Sequence, residues 1–229
     1  MAKSRAVVLL SGGLDSCTAA AWAISQGYEL HALSFDYGQR HKKELVSAGQ
    51  VAAALKVRSH RILKLPIGAL GGSALTDKAI PVPDAPRQAK IGATIPVTYV
   101  PARNAIFLSF ALGHAEVAGA SAIVIGANHL DSSGYPDCRP AFLAAFEAMA
   151  NLATKAGVEG RGLRILAPLI DKDKADIVRL AAKLKAPIQH TWSCYRGGAK
   201  ACGTCESCVL RLRGFAQAGL KDPIAYAGR

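Results

Sequence analysis

Short apolar runs alternate along the chain with longer segments in which apolar positions recur every three or four residues. The apolar runs predict buried strands at 6–10, 29–35, 59–65, 122–126 and 163–166. The helical spacing predicts helices at 16–25, 42–55, 104–119, 140–155 and 172–184, with Gly27 ending the first. Because strands and helices alternate, we expect an α/β fold with a doubly wound parallel sheet.

One long stretch, 66–101, interrupts this alternation. Four prolines, at positions 81, 83, 86 and 96, break any regular element there. Loops of this length either cover functional sites or lack order, and the sequence leaves that choice open. We expect residues 1–190 to form the main α/β domain, with 191–229 as a small helical segment packed on it.

Composition agrees with a globular protein. Of the 229 residues, 51% are hydrophobic and 19% charged, which is enough apolar material for a sizeable core. The longest apolar stretch, 105–126, is interrupted by His114 and Glu116, so we expect no membrane span. The N-terminal apolar run is too short for a signal peptide, and we place the protein in the cytoplasm.

The chain carries a net charge of +12. Such an excess steers nucleic acid or a small polyanion such as ATP. There is no run of five or more basic residues and no appended RNA-reading module, so we expect small-molecule partners rather than nucleic acid.

The segment Ser11-Gly12-Gly13-Leu14-Asp15-Ser16 lies between the first predicted strand and helix. Paired glycines let the backbone bend and approach a ligand closely, and the free N–H groups of the next helix form a site for phosphate. The lysine of a Walker loop and the third glycine of a dinucleotide fingerprint are missing. The segment resembles the pyrophosphate loop of enzymes that split ATP into AMP and pyrophosphate. We therefore assign ATP contacts to Leu10, Ser11, Gly12, Gly13, Leu14, Asp15, Ser16, Cys17, Thr18, Ala19 and Ala20.

Four of the six cysteines crowd one C-terminal stretch, as Cys194, Cys202, Cys205 and Cys208. Cys-x2-Cys units turn tightly enough to direct both thiolates at one ion, and four thiolates favour one structural zinc per chain. An iron–sulfur cluster is the alternative, because similar runs occur in ferredoxins. Disulfides are not expected in a reducing compartment.

Further motifs extend the resemblance. They are the segment from Phe35 to His41, the segment Ser133-Gly-Tyr-Pro-Asp-Cys-Arg139 and the four cysteines. Together, from Val7 to about Leu212, they resemble the 7-cyano-7-deazaguanine synthase family of queuosine biosynthesis. The resemblance implies an adenine nucleotide alpha hydrolase-like (Rossmann-like) fold and a homodimer. It also implies that 7-carboxy-7-deazaguanine, ammonia and ATP–Mg²⁺ react to give the nitrile, AMP and pyrophosphate, through adenylated carboxylate and amide intermediates.

The resemblance also implies roles for individual residues. The catalytic set is Ser11, Asp15, Ser16 and Lys174, with further ATP contacts from Phe35, Gln39 and Arg40. The predicted substrate contacts are Arg103, Asn104, Asp131, Ser133, Gly134, Tyr135, Asp137 and Arg139.

For three of these residues, a structural or neutral role is an alternative to the functional one. Asp15 is either an Mg²⁺ ligand or a helix cap, Lys174 either binds phosphate or is a solvated lysine, and Arg40 either neutralises an anion or is inert. Position 102 is Ala where the family usually has Gly, which alters the turn before Arg103.

Two other functions stay open. One is a tRNA-modifying enzyme of the same ATP class, a thiolase or lysidine-type synthetase, for which Cys138 is the only cysteine placed to relay sulfur. The other is a non-catalytic adaptor whose cysteine segment binds a partner. The chain has no room for a glutaminase domain, so free ammonia or a partner must supply nitrogen.

Overall fold

A five-stranded parallel sheet forms the centre of the computed structural model, which describes residues 3–85, 95–130 and 134–228. The strand order is β3-β2-β1-β4-β5, and all four pairings are parallel. The strands are β1 (Arg5–Leu9), β2 (Glu29–Asp36), β3 (Ser59–Lys64), β4 (Ala122–Val124) and β5 (Arg164–Leu166). The helices are α1 (Leu14–Ser25), α2 (Lys43–Ala54), α3 (Arg103–Ala118), α4 (Pro140–Ala153), α5 (Lys155–Val158), α6 (Lys174–Lys183) and α7 (Glu206–Gln217). The predicted α/β fold with a doubly wound sheet is confirmed.

Helices cover both faces of the sheet, and β1 shows why its sequence is apolar throughout. Ala6 and Val8 point to the layer formed by α1, α2, α6 and α7, whereas Val7 and Leu9 point to α3 and α4. Because successive side chains of a strand face opposite sides, a strand covered on both sides needs an unbroken apolar run.

The clearest departure from the predicted elements is in the helix expected at 140–155. α4 ends at Ala153, because Thr154 adopts an extended backbone and its Oγ1 accepts a hydrogen bond from the Gly157 N–H, which begins the separate turn α5. The other predicted boundaries lie within two residues of the observed ones.

The long excursion contains one 3₁₀ turn, Pro66–Leu70, and in its described part otherwise turns, bends and an isolated bridge. Its residues Ala74, Ile80 and Val82 pack against the cysteine segment. That segment also joins the main core, since Phe215 of α7 packs with α1 and α6. Within the described ranges, no helix is both long and apolar enough to cross a membrane.

Candidate functional site

The chain changes direction across the sheet between β1 and β4, and a cavity opens beyond the carboxyl ends of these strands. After β1 it builds outward to β2 and β3, whereas β4 and β5 lie on the other side. Ligands of open α/β sheets bind at such a point. The cavity has a volume of about 270 Å³, near the lower end for small-molecule sites.

The predicted phosphate loop forms one end of this cavity and is held by its own hydroxyls. The Ser11 and Ser16 Oγ atoms lie 3.0 Å apart, Ser16 Oγ donates to the Gly13 carbonyl, and the Gly13 N–H donates to Ser11 Oγ. No side chain caps α1 at Gly13. The first-turn N–H groups of a helix have no partner within it, so those of α1 are suited to bind phosphate oxygens.

Two glycines let this loop pack against its neighbours. Gly12 has φ +85°, and a Cβ there would lie 2.2 Å from the Glu44 carbonyl oxygen of α2. Gly126, just after β4, passes so close to α1 that a Cβ would lie 2.8 Å from the Ser16 nitrogen. Only glycine fits either position.

Asp15 and Lys174 form a bidentate ion pair across the mouth of the loop. Lys174 Nζ donates to both carboxylate oxygens, at 2.9 and 2.7 Å. Asp15 therefore does not cap α1, and each of its carboxylate oxygens keeps a lone pair beyond the bond to Lys174. Lys174 lies on the cavity wall, and its ammonium group supplies the positive charge that a phosphate site needs. The resemblance implies this same role for Lys174.

The other part of the cavity, which we call the acceptor end, is lined by Tyr37, Glu44, Arg103, Tyr135, Tyr195 and Glu206. Arg103 Nη1 donates to the Tyr37 hydroxyl at 3.3 Å, and within the described ranges no carboxylate lies within 4 Å of this guanidinium. Burial raises the pKa of Glu44 to about 7, against the opposing effect of Arg103. Burial likewise raises the pKa of Tyr37 to about 12. The acceptor end thus combines a guanidinium suited to an anion with carboxyls suited to N–H donors.

The predicted substrate residues divide into four groups. Arg103, Asn104 and Tyr135 line the cavity. Asp137 is buried behind it, where Oδ2 accepts from the Asn104 N–H at 2.9 Å near the start of α3, while Oδ1 has no described hydrogen-bond partner. Gly134 and the exposed Arg139 are not on the wall. Asp131 and Ser133 lie outside the described residues.

Most of the predicted ATP residues are found at the cavity. The wall includes Leu10, Ser11, Gly13, Leu14, Asp15, Ser16, Phe35 and Gln39. Within the loop, Gly12 is buried against α2 rather than exposed on the cavity wall. Cys17, Thr18, Ala19 and Ala20 are buried beneath the loop in α1. Arg40 points away from the cavity and donates to the backbone carbonyls of Ala74, Asp77 and Ile80, so it braces the excursion.

The four cysteines lie together as predicted. Their sulfur atoms are all within 4.8 Å of one another, and those of Cys202 and Cys208 are 3.9 Å apart. Tetrahedral zinc with bonds of about 2.3 Å requires sulfurs about 3.8 Å apart, so the group fits a zinc ion. Backbone N–H groups also point at the sulfurs, from Arg196 and Cys202 to Cys194 and from Thr204 and Cys205 to Cys202. Such donors stabilise thiolates, so these residues can hold a metal ion.

The cysteine segment is tied directly to the phosphate loop. The Trp192 N–H donates to the Gly12 carbonyl at 2.9 Å, and the Trp192 side chain donates to the Cys194 carbonyl. Lys43 of α2 lies 4.3 Å above the Trp192 ring. The short backbone segment from Trp192 to Cys194 therefore connects the first predicted metal ligand to the phosphate loop.

Several residues of the cavity wall are not among the site residues predicted from the sequence. They include Tyr37, Glu44, Trp192, Tyr195, Glu206 and Arg211. Arg211 is almost fully buried and pairs with Asp222 through two hydrogen bonds of 2.8 and 3.0 Å. A buried charge of this kind has a weak sequence signal, since a lone arginine in a polar helix is usually exposed.

Comparison with known proteins adds a family. Residues 5–219 match the model of a family described as queuosine biosynthesis protein QueC. A protein of Desulfitobacterium hafniense (strain Y51) named 7-cyano-7-deazaguanine synthase 2 is 58% identical over 98% of this chain and 94% of its own length. Proteins named 7-cyano-7-deazaguanine synthase are 58% identical in Acetivibrio thermocellus, over 98% of this chain and 99% of theirs, and 57% identical in Stutzerimonas stutzeri (strain A1501), over 99% and 100%. Among solved structures, the NMN synthetase of Francisella tularensis superposes with a TM-score of 0.49 at 16% identity, covering 96% of this chain and 88% of that one, a likeness too distant to bear on function.

Proposed function

The chain belongs to the QueC family of queuosine biosynthesis proteins, and we propose that it converts 7-carboxy-7-deazaguanine and ammonia into 7-cyano-7-deazaguanine at the expense of ATP. The observation that carries this proposal is the match of the whole chain to synthases of nearly equal length. The phosphate loop and the cavity beside it supply the matching chemistry.

The reaction requires the carboxylate to be activated, because a carboxylate is a poor electrophile. Its oxygen attacks the α-phosphorus of ATP, which forms an acyl-adenylate and releases pyrophosphate. The first-turn N–H groups of α1 and the Lys174 ammonium stabilise the charge of the leaving pyrophosphate. Arg103, with no carboxylate partner in the described ranges, is placed to bind the substrate carboxylate or the phosphate it attacks.

Two nitrogen-centred steps complete the reaction. Ammonia displaces AMP from the acyl carbon and gives the amide, with loss of a proton. The amide oxygen attacks the α-phosphorus of a second ATP and releases a second pyrophosphate. Departure of AMP with loss of the two amide N–H protons then leaves the nitrile. Glu44 is the carboxyl of the acceptor end whose raised pKa suits it to accept such a proton. No step is assigned to Mg²⁺, which ATP carries on its own phosphates.

For the four cysteines we propose one structural zinc. Four thiolates complete a tetrahedral shell and leave no open position for a substrate, so the ion holds the C-terminal segment rather than taking part in the reaction. Colourless protein with one zinc per chain supports this assignment. A brown protein with visible absorption indicates an iron–sulfur cluster instead.

Incubation with 7-carboxy-7-deazaguanine, ammonium and ATP–Mg²⁺, followed by mass spectrometry, tests the proposal. We expect a product at the nitrile mass and AMP formed in step with it. Absence of AMP release in all these mixtures refutes the proposed reaction. Omission of ammonium is the matched control, since it permits adenylation of the carboxylate but not formation of the nitrile.

Sulfur transfer to tRNA is a second candidate, favoured by the net charge of +12 and by the position of Cys138 in the cavity wall. Cys138 Sγ accepts a hydrogen bond from Asn104 Nδ2 at 3.2 Å. Near-normal nitrile formation by Cys138→Ser excludes a sulfur relay through this residue.

The quaternary structure and cellular location are also proposals. We expect a homodimer, as the resemblance implies, and a cytoplasmic location, as the short N-terminal apolar run indicates. Light scattering coupled to size-exclusion chromatography determines the mass and thus tests the dimer.

A further inference from the structure

Glu206 occupies a position in the cavity wall that no local contact explains. It is the first residue of α7 and lies between two metal ligands, in Cys205-Glu206-Ser207-Cys208. Both cysteines are buried in the four-cysteine cluster, whereas Glu206 and Ser207 line the cavity. Residues three apart share one face of a helix, so a metal held by the flanking cysteines fixes the direction in which Glu206 projects.

The Glu206 carboxylate lies in an aromatic setting and keeps its hydrogen-bonding capacity. Tyr135 and Tyr195, which also line the cavity, are within electrostatic range of it. In the part of the chain that the structure describes, no group donates a hydrogen bond to the Glu206 carboxylate and no cation pairs with it. Two oxygens that accept hydrogen bonds are therefore available to a ligand beside aromatic rings.

The same helix places Glu206 well away from the phosphate loop. Gly214, eight residues further along α7, packs so tightly against Lys174 that a Cβ there would lie 2.5 Å from the lysine Cγ. At 1.5 Å per residue, Glu206 lies about 12 Å along the helix axis from this contact. A substrate whose reactive carboxylate is near the phosphate end can extend its ring toward Glu206.

We propose that Glu206 determines substrate specificity by accepting hydrogen bonds from the ring N–H and the exocyclic 2-amino group of the deazaguanine. This inference rests on the proposed function. A 2-aminopyrimidinone edge presents two adjacent donors, and a carboxylate, which only accepts, matches both. The corresponding edge of adenine presents a donor beside an acceptor, so Glu206 reads the acceptor substrate and not ATP.

Replacement by glutamine tests this inference in the zinc-loaded, full-length protein. The amide in Glu206→Gln keeps one acceptor and sets its NH2 group against a substrate donor. We expect the Kd for 7-carboxy-7-deazaguanine, measured by calorimetry without ATP, to rise about 10- to 150-fold, the range for losing a hydrogen bond to a charged group. Glu206→Asp keeps the negative charge on a side chain that is shorter by one methylene group. We expect it to bind the substrate more tightly than Glu206→Gln and less tightly than wild type. Glu159→Gln, an exposed change at the end of α5, is the matched control and should bind normally.

A substrate analogue separates recognition from a merely structural role. Wild type should bind the analogue lacking the 2-amino group about 10-fold or more weakly than the substrate, and Glu206→Gln should discriminate less. The KM for ATP, the zinc content and the Tm should stay close to wild type. Unchanged affinity of Glu206→Gln, equal binding of both compounds by wild type, or a loss confined to the KM for ATP each overturn the inference.

The wild-type result separates this inference from the proposed function. If wild type neither binds 7-carboxy-7-deazaguanine nor forms AMP with it, the proposed function fails and the inference with it. If wild type forms the nitrile and Glu206→Gln binds as well as wild type, only the role of Glu206 is refuted.

Discussion

The two ends of the cavity are built by different means. The phosphate-loop end comes from one continuous segment, and its serine hydroxyls bond to each other and to the loop backbone. The acceptor end draws Glu44, Arg103, Tyr135 and Glu206 from four separate segments, and the two carboxylates there have no described hydrogen-bond donor. Most of the phosphate site comes from one local segment, to which α6 adds Lys174, whereas a site for a particular ring needs several side chains held by distant parts of the fold.

Loss of the metal should affect the acceptor end first, and with the largest effect. Cys205→Ala removes a buried ligand, and structural zinc contributes on the order of 10 kcal/mol to folding in isolated fingers. We expect loss of bound zinc, proteolysis of the C-terminal segment and loss of turnover, measured by metal analysis and limited digestion.

A control for this variant is Cys17→Ala, which removes a buried thiol outside the cluster. It should keep the zinc and cost about 1 kcal/mol. Retention of one zinc per chain with unchanged Tm in Cys205→Ala would contradict the assignment.

Gly12→Ala breaks the phosphate-loop end instead. The added methyl group meets the backbone of α2 at 2.2 and 2.7 Å, and φ is +85°. Left-handed strain and overpacking together should cost about 3 kcal/mol or more, with ATP-dependent turnover lost. Urea unfolding measures the stability.

Gly27→Ala is the matched control, because φ is +88° there but nothing lies within 4 Å of the added Cβ. It should cost about 1–2 kcal/mol. Equal losses of unfolding free energy in Gly12→Ala and Gly27→Ala would show that the packing of α2 against the loop does not contribute to stability.

Lys174→Ala should sharpen the contrast, because it removes charge at the phosphate end while leaving the acceptor end intact. Loss of one stabilising group at a developing charge typically lowers kcat about 100- to 1,000-fold. The Kd for 7-carboxy-7-deazaguanine should stay the same, and Lys183→Ala, exposed on the last turn of α6, should behave as wild type. A normal kcat together with a lowered Tm would show that Lys174 stabilises the fold by pairing with Asp15 and does not act in the reaction.

Glu44, in the acceptor end, should make stability depend on pH. Its folded pKa of about 7 exceeds its ordinary value of 4.5, so the native state holds the proton more tightly than the unfolded chain does. The contribution of Glu44 to stability is therefore greatest below pH 4.5 and is lost as the pH rises toward 7. Urea unfolding across this range should show a difference in unfolding free energy between wild type and Glu44→Gln that changes with pH. A difference that stays constant would refute the raised pKa of Glu44.

The smallest expected effect is at Ala102, just before Arg103. Ala102 has φ +52°, in the left-handed region that favours glycine. Ala102→Gly should stabilise the protein by about 0.5–1 kcal/mol, since relief of strain slightly exceeds the added chain entropy. Ala145→Gly, exposed within α4, should instead cost about 1 kcal/mol in the same thermal unfolding assay.

The sequence predicted the fold well because its signals are local. Strand β1 reads as an unbroken apolar run, and the glycines of the phosphate loop directly follow it. The four cysteines were equally plain from their spacing. Each of these signals lies within a few residues of the feature it specifies.

The partners of the site residues were not predictable, because they depend on contacts between distant segments. The sequence left Asp15 as a metal ligand or a cap, yet it pairs with Lys174, which is far away along the chain. Glu44 lies within an ordinary amphipathic helix, and Glu206 looks like a spacer between metal ligands. Arg40 resembles an anion site in the sequence but is engaged by carbonyls of the excursion.

The hydrogen bond between the Trp192 N–H and the Gly12 carbonyl has a consequence for synthesis on the ribosome. Gly12 is synthesised 180 residues before Trp192. Until translation passes that tryptophan, the nascent chain carries the full phosphate-loop sequence without the donor that holds its Gly12 carbonyl. A chain that ends before Trp192 therefore keeps the complete motif but lacks the long-range contact that completes its phosphate loop.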